Sequence, residues 1–213
     1  MSTTFDVYPG KGYIPLFSEL LCDAEREVNN YLRRIDVHKD IRLNARIQSN
    51  DGCIKTPVGS TSRLIWDDSF YAWFYIKNVP GGTDAYFYRH DEIYTDFLLE
   101  ELSRNPNFKK YEKVIRNTIK LGYSWTFRRS VGQPAIIGLC YGFLAATLAK
   151  LTEGIIYTDD GAWDYEKFPA DPDEFMKWYF RIEYATKQED IDFAKRGIAS
   201  IKICYCQTNC EKW

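Results

Sequence analysis

Residues Tyr123–Leu151 read YSWTFRRSVGQPAIIGLCYGFLAATLAKL, and this stretch decides the fold class. Tyr123, Trp125 and Phe127 alternate with Ser124, Thr126 and Arg128, the period of a strand with one buried face. Ser130 to Pro134 breaks that pattern, and from Ala135 to Leu151 the residues are apolar up to Lys150. Such a segment reads as a helix buried on all sides, because it offers no polar stripe to water. It is too short for a membrane span, which takes about 20 apolar residues. Gly138, Gly142, Ala145, Ala146 and Ala149 let other elements approach its backbone closely, so the helix is expected at the centre.

The remaining elements follow outward from this pair. Phe17, Leu20, Leu21, Ala24, Val28, Tyr31, Leu32 and Ile35 recur at three- and four-residue steps and predict a helix from about Pro15 to Ile35. Ile41 to Gln48 alternates as a strand, Arg63 to Trp66 is a candidate second strand, and Phe70–Val79 with Thr83–Tyr88 forms a hairpin around Pro80-Gly81-Gly82. On the first arm of that hairpin Tyr71, Trp73 and Tyr75 face one way and Ala72, Phe74 and Ile76 the other. One face is expected to meet helices and the other a loop or a partner.

Asp91 opens a helix to about Ser103, Asn105-Pro106-Asn107 interrupts it, and Gly122 ends the run that follows. Asp171-Pro172-Asp173-Glu174 and Thr186-Lys187-Gln188-Glu189 carry capping chemistry for two further helices, to about Phe180 and from about Lys187 to Cys206. Asn50 to Ser62 reads as a surface loop. The whole chain, 1–213, is therefore expected to be one α+β domain, an antiparallel sheet packed against several helices.

Of the 213 residues 45% are hydrophobic and 16% aromatic, a composition that buries a large core and argues against disorder. The formal net charge of -2 leaves no footprint for nucleic acid, so none is expected as a partner. The first residues lack the basic and apolar regions of a secretory signal, which points to the cytoplasm and to reduced thiols at Cys22, Cys53, Cys140, Cys204, Cys206 and Cys210. No membrane association is expected.

Catalytic chemistry has little support. His38 and His90 stand alone, and there is no nucleophile elbow, phosphate-binding loop, dinucleotide fingerprint or paired-histidine zinc motif. Cys204, Cys206 and Cys210 are wrongly spaced for a zinc site, so neither a metal nor another cofactor is expected.

The densest chemistry lies in Gly154–Tyr165, GIIYTDDGAWDY, where Asp159, Asp160 and Asp164 surround Trp163 in a turn that looks exposed. Acid and aromatic together make a recognition surface. Asp159, Asp160, Trp163, Asp164 and Tyr165 are therefore candidate partner-binding residues, and Asp67 and Asp68 beside Trp66 repeat the theme. Arg128 and Arg129 stand at a strand end before a helix N-terminus, where an anion docks on guanidinium and backbone donors; alternatively they pair internally with the acidic turn.

Arg129-Ser-Val-Gly-Gln-Pro134, the small-residue helix after it, and Gly154 to Pro169 resemble immunity proteins of bacterial polymorphic-toxin and contact-dependent competition systems. The similarity covers about the last ninety residues and, more loosely, Phe5 to Gly10. It implies a cytosolic protein without enzymatic activity that binds a cognate toxin domain and blocks its active site, and it carries over no catalytic residues. Two other classes stay open: a hydrolase using the carboxylates of Asp159, Asp160 and Asp164, and a small-molecule-binding domain with a pocket of Tyr and Trp.

Overall fold

The computed structural model describes residues 2–160 and 162–206, the side chains of Tyr165 and Cys206 excepted. In chain order the elements are β1 (Ser2–Tyr8), α1 (Phe17–Arg34), β2 (Leu43–Ser49), β3 (Lys55–Pro57), β4 (Phe70–Ile76), β5 (Thr83–Arg89), α2 (Glu92–Arg104), α3 (Pro106–Lys110), α4 (Glu112–Leu121), β6 (Tyr123–Ser130), α5 (Ala135–Leu151), β7 (Ile155–Tyr157), α6 (Pro172–Trp178) and α7 (Gln188–Cys206). All seven strands join one antiparallel sheet in the order β3-β2-β4-β5-β6-β1-β7. The architecture is α+β.

Alternation along each strand sends Leu43, Ala45, Ala72, Phe74, Ile76, Ala85, Phe87, Trp125, Phe127, Phe5 and Val7 into one core beneath α5 and its neighbours. α5 is buried from Ile136 to Ala149. It meets β1 through Phe5 stacked on Tyr141 at 4.6 Å, and α1 through Tyr31 edge-on to Phe143 at 5.8 Å. Its glycines admit further neighbours. The Tyr179 ring, following α6, occupies the space where a Cβ on Gly142 would lie, at 2.1 Å from the nearest ring carbon. Full burial of each Leu- or Phe-sized side chain here contributes about 1.5–3 kcal/mol.

Local signals fix many ends. The Asp91 carboxylate accepts from Tyr94 N, Asp171 accepts from Asp173 N and Glu174 N, and Gly122 closes α4 at φ 71°. Phe180 also adopts a left-handed φ of 59°, at a cost of about 1–2 kcal/mol. The bend lets its ring reach the core against Trp163, Tyr31 and Phe193.

Two sequence expectations change and one unassigned segment is placed. Arg63–Trp66 is no strand: Arg63 forms one bridge to Leu16, and Leu64 turns its carbonyl to the Trp125 indole N–H at 2.8 Å. The predicted loop from Asn50 to Ser62 contains β3, paired to Arg46–Gln48. Ser2–Tyr8, which carried no assignment, is a strand inserted between β6 and β7. Among the described residues, no helix is long and apolar enough to cross a membrane.

Candidate functional site

The second face of the sheet carries the chemistry. Strand register sets its side chains in rows: Thr4, Arg128, Asp84, Trp73 and Arg46 are successive cross-strand neighbours, and Tyr157, Asp6, Thr126 and Tyr86 form the adjacent row. At the β7 end this face is covered, because Tyr8 and Ile155 form a second core with Leu98, Leu102, Phe108 and Ile115 of α2, α3 and α4. Toward β5, β4 and β2 the cover gives out. Tyr71, Trp73, Tyr75 and Tyr86 are half-buried there, and Tyr88 is 44% exposed.

These aromatic groups are held rather than loose. Tyr86 stacks on Tyr88 at 6.0 Å and lies 5.8 Å from Tyr71 across the β4–β5 pair. The Arg128 guanidinium sits over Tyr86 at 5.3 Å and Arg46 over Tyr75 at 5.2 Å. Gln48 donates to the Tyr71 hydroxyl at 2.7 Å and accepts from Arg46 Nε at 2.7 Å. Arg128 Nε donates to Asp84 Oδ2 at 2.8 Å, a charge-assisted bond that fixes its fork above the ring.

Where the covered and open halves meet lies Asp6. Its Oδ1 accepts from the Thr126 hydroxyl at 2.5 Å. Burial pushes the carboxyl up to about 7, the Thr126 bond opposing and the Asp159 and Asp160 charges adding to the rise. The Tyr94 hydroxyl donates to that of Tyr8 at 3.2 Å, and burial raises Tyr94 and Tyr157 to about 12. His90 Nε2 lies 3.0 Å from the Ser124 hydroxyl; burial holds the ring down at about 4, so it is neutral near pH 7. His90 also borders an open depression of about 420 Å³ with Asp91, Glu92, Thr95 and Asp96.

The acidic turn divides between this surface and the core. Asp159 and Asp160 are exposed at the end of β7, and Asp160 is anchored to β1 by the Thr4 N–H at 2.6 Å and the Thr4 hydroxyl at 2.8 Å. Asp67 and Asp68 are exposed before β4; Asp67 is held below the usual carboxylate range by the Ser69 N–H, and Asp68 acts electrostatically on Tyr88. Trp163 corrects the expectation of an exposed anchor: it is 2% exposed and packs on Tyr179, Phe180 and Phe193. Asp164 is likewise 2% exposed, accepting from Thr186 at 2.5 Å with Lys187 at 3.4 Å. Burial would raise Asp164, but Thr186, Lys187 and Lys167 outweigh it and lower its pKa. Neither residue has surface to offer a protein partner.

Gly161 and the Tyr165 side chain lie outside the described residues, as do the Cys206 side chain and Cys210. Among the described residues no group of three or more His, Cys, Asp or Glu is arranged to hold a metal ion. Arg128 pairs with Asp84 rather than with the acidic turn. Arg129, the next residue, points to the opposite side of the sheet, over the Tyr141 and Phe193 rings. Sequence reasoning missed Asp6, Tyr86 and Tyr88 as site residues. The signal was present for the two tyrosines, which alternate with buried Ala85 and Phe87.

Compared with models of protein families, with curated proteins and with solved structures, the chain matches none of them.

Proposed function

We propose that the protein is a cytoplasmic immunity protein that binds a cognate toxin domain and blocks it by direct contact, using the uncovered part of the second sheet face. The observation that carries this reading is the Tyr71, Trp73, Tyr75, Tyr86 and Tyr88 mosaic with Arg46 and Arg128 set among it. Tyr, Trp and Arg are the residues that dominate protein–protein binding energy, and those already fixed by stacking and ion pairs lose little freedom on docking. Exposed carboxylates flank the mosaic, Asp159 and Asp160 near Asp6 and Asp68 near Tyr88. They supply charge complementarity toward a basic cleft, which speeds encounter and selects the partner.

The test is co-expression with a candidate toxin domain from a neighbouring gene, with a tag on one partner. Growth rescue and co-purification are expected, and both should fail when Tyr86 and Tyr88 are replaced by Ala. Recovery of the tagged partner alone, without rescue, contradicts the proposal.

One observation favours a second reading, carboxylate-dependent hydrolysis. Asp6 is poised near 7 with Asp159 and Asp160 close by, the environment of a general acid or base. That reading requires turnover which Asp6→Asn abolishes.

A further inference from the structure

Four side-chain polar atoms out of contact with solvent have no hydrogen-bond partner, and a chain of contacts links the side chains that carry them: Thr3 Oγ1, Arg129 Nε, Tyr141 Oη and Trp163 Nε1. Thr3 stands opposite Arg129 in the β1–β6 register, and its hydroxyl lies beside that of Tyr141 without completing a bond. The Arg129 guanidinium covers the Tyr141 ring at 5.9 Å and the Phe193 ring at 5.3 Å, and Trp163 closes on the same Phe193 at 6.3 Å. Gly138 admits the guanidinium: a Cβ there would come within 3.3 Å of Arg129 Nη1.

No carboxylate of the described residues pairs with Arg129. Asp160, whose charge acts on Tyr141, accepts from the Thr4 N–H, the Thr4 hydroxyl and the Thr158 hydroxyl instead. Guanidinium and indole are donors only, while the two hydroxyls can donate as well as accept. Such a set calls for an acceptor with several oxygens. The first turn of the 17-residue α5, which Gly138 begins to leave, adds the positive end of a helix dipole.

We propose that Arg129, Trp163, Tyr141 and Thr3 form a binding site for a small oxyanion, a phosphate or a carboxylate, at the start of α5. The site gives a use to residues of both stretches that carry the family resemblance, Arg129 in the first and Trp163 in the second. It lies on the helix side of the sheet, apart from the aromatic face, and stands or falls independently of toxin binding.

The test uses the intact ¹⁵N-labelled protein at fixed pH and ionic strength, titrated separately with inorganic phosphate and with acetate against chloride. The Trp163 indole resonance, assigned by its loss in Trp163→Phe, is expected to shift saturably with one of the two, and the melting temperature of the unlabelled protein to rise. Phosphate alone identifies a phosphate site and acetate alone a carboxylate site. Arg129→Gln should weaken the saturable shift by about tenfold or more. If that variant does not fold, the wild-type titration decides. An indole resonance that stays in place or drifts linearly with both salts overturns the proposal, as does an unchanged affinity in folded Arg129→Gln.

Discussion

Across the β1–β6 pair, the Thr126 hydroxyl donates to the Asp6 carboxyl at 2.5 Å, joining an acid that burial raises to about 7 to the row of side chains that ends in the half-buried Tyr86. A carboxyl raised from 3.8 favours folding most when protonated. Its contribution is complete below about pH 4, falls as pH rises toward 7, and is gone above that.

Asp6→Asn should therefore abolish this pH dependence. With about 1.4 kcal/mol per pKa unit, the variant should gain up to about 4 kcal/mol over the parent between pH 4 and pH 8. Urea denaturation across that range measures the difference, which isolates Asp6 from the other carboxylates. Parallel curves for parent and variant would show that Asp6 is not desolvated.

Trp163→Ala should behave as a core truncation and cost about 3–5 kcal/mol of stability. Asp164→Asn should also lower the melting temperature, because it leaves Lys187 and Lys167 without their buried counter-charge. A melting temperature unchanged in both variants would return the pair to the surface.

Asp159, Asp67 and Asp68 make the contrasting case. Replacing each by Asn should change stability by no more than about 0.5 kcal/mol, apart from the turn bond that Asp67 makes to Ser69. Asp160→Asn should cost about 0.5–2 kcal/mol, since its carboxylate accepts the Thr4 N–H. Thermal melts of the four variants distinguish anchored from free carboxylates.

Gly142→Ala should destabilise by about 1–3 kcal/mol, because the Tyr179 ring fills the place of its Cβ and donates its hydroxyl to Gly138 O at 2.6 Å. Tyr179→Leu combined with Gly142→Ala should recover part of the loss if the clash is its cause. Calorimetry of the single and double variants checks this.

The helices were legible because their signals are local. The cap at Asp91, the proline after Asp171 and the left-handed Gly122 each act within a few residues. Strand pairing is not local. Arg63–Trp66 has a strand-like pattern, yet Leu64 is occupied by the Trp125 indole, and the place beside β6 belongs to Ser2–Tyr8. The same holds for the site. Trp163 looks exposed beside an Asp-Gly turn, and it is Tyr179, Phe180 and Phe193, distant in sequence from the turn, that bury it. Lys187 meets Asp164 from the start of α7, a partnership no local pattern announces. The face with Tyr71, Trp73 and Tyr75 was correctly separated from that with Ala72, Phe74 and Ile76, because alternation along a strand is itself local.

Isothermal titration of the purified protein with a candidate toxin domain from a neighbouring gene, comparing the parent with Tyr88→Ala, tests the central claim most directly. Tyr88 is 44% exposed, so its loss should leave the melting temperature almost unchanged. A binding anchor of its type contributes about 2 kcal/mol or more, so affinity should fall by roughly thirtyfold. One-to-one binding by the parent and that loss in the variant are the predicted result. No heat of binding from the parent, or equal affinity in both proteins, would contradict the account.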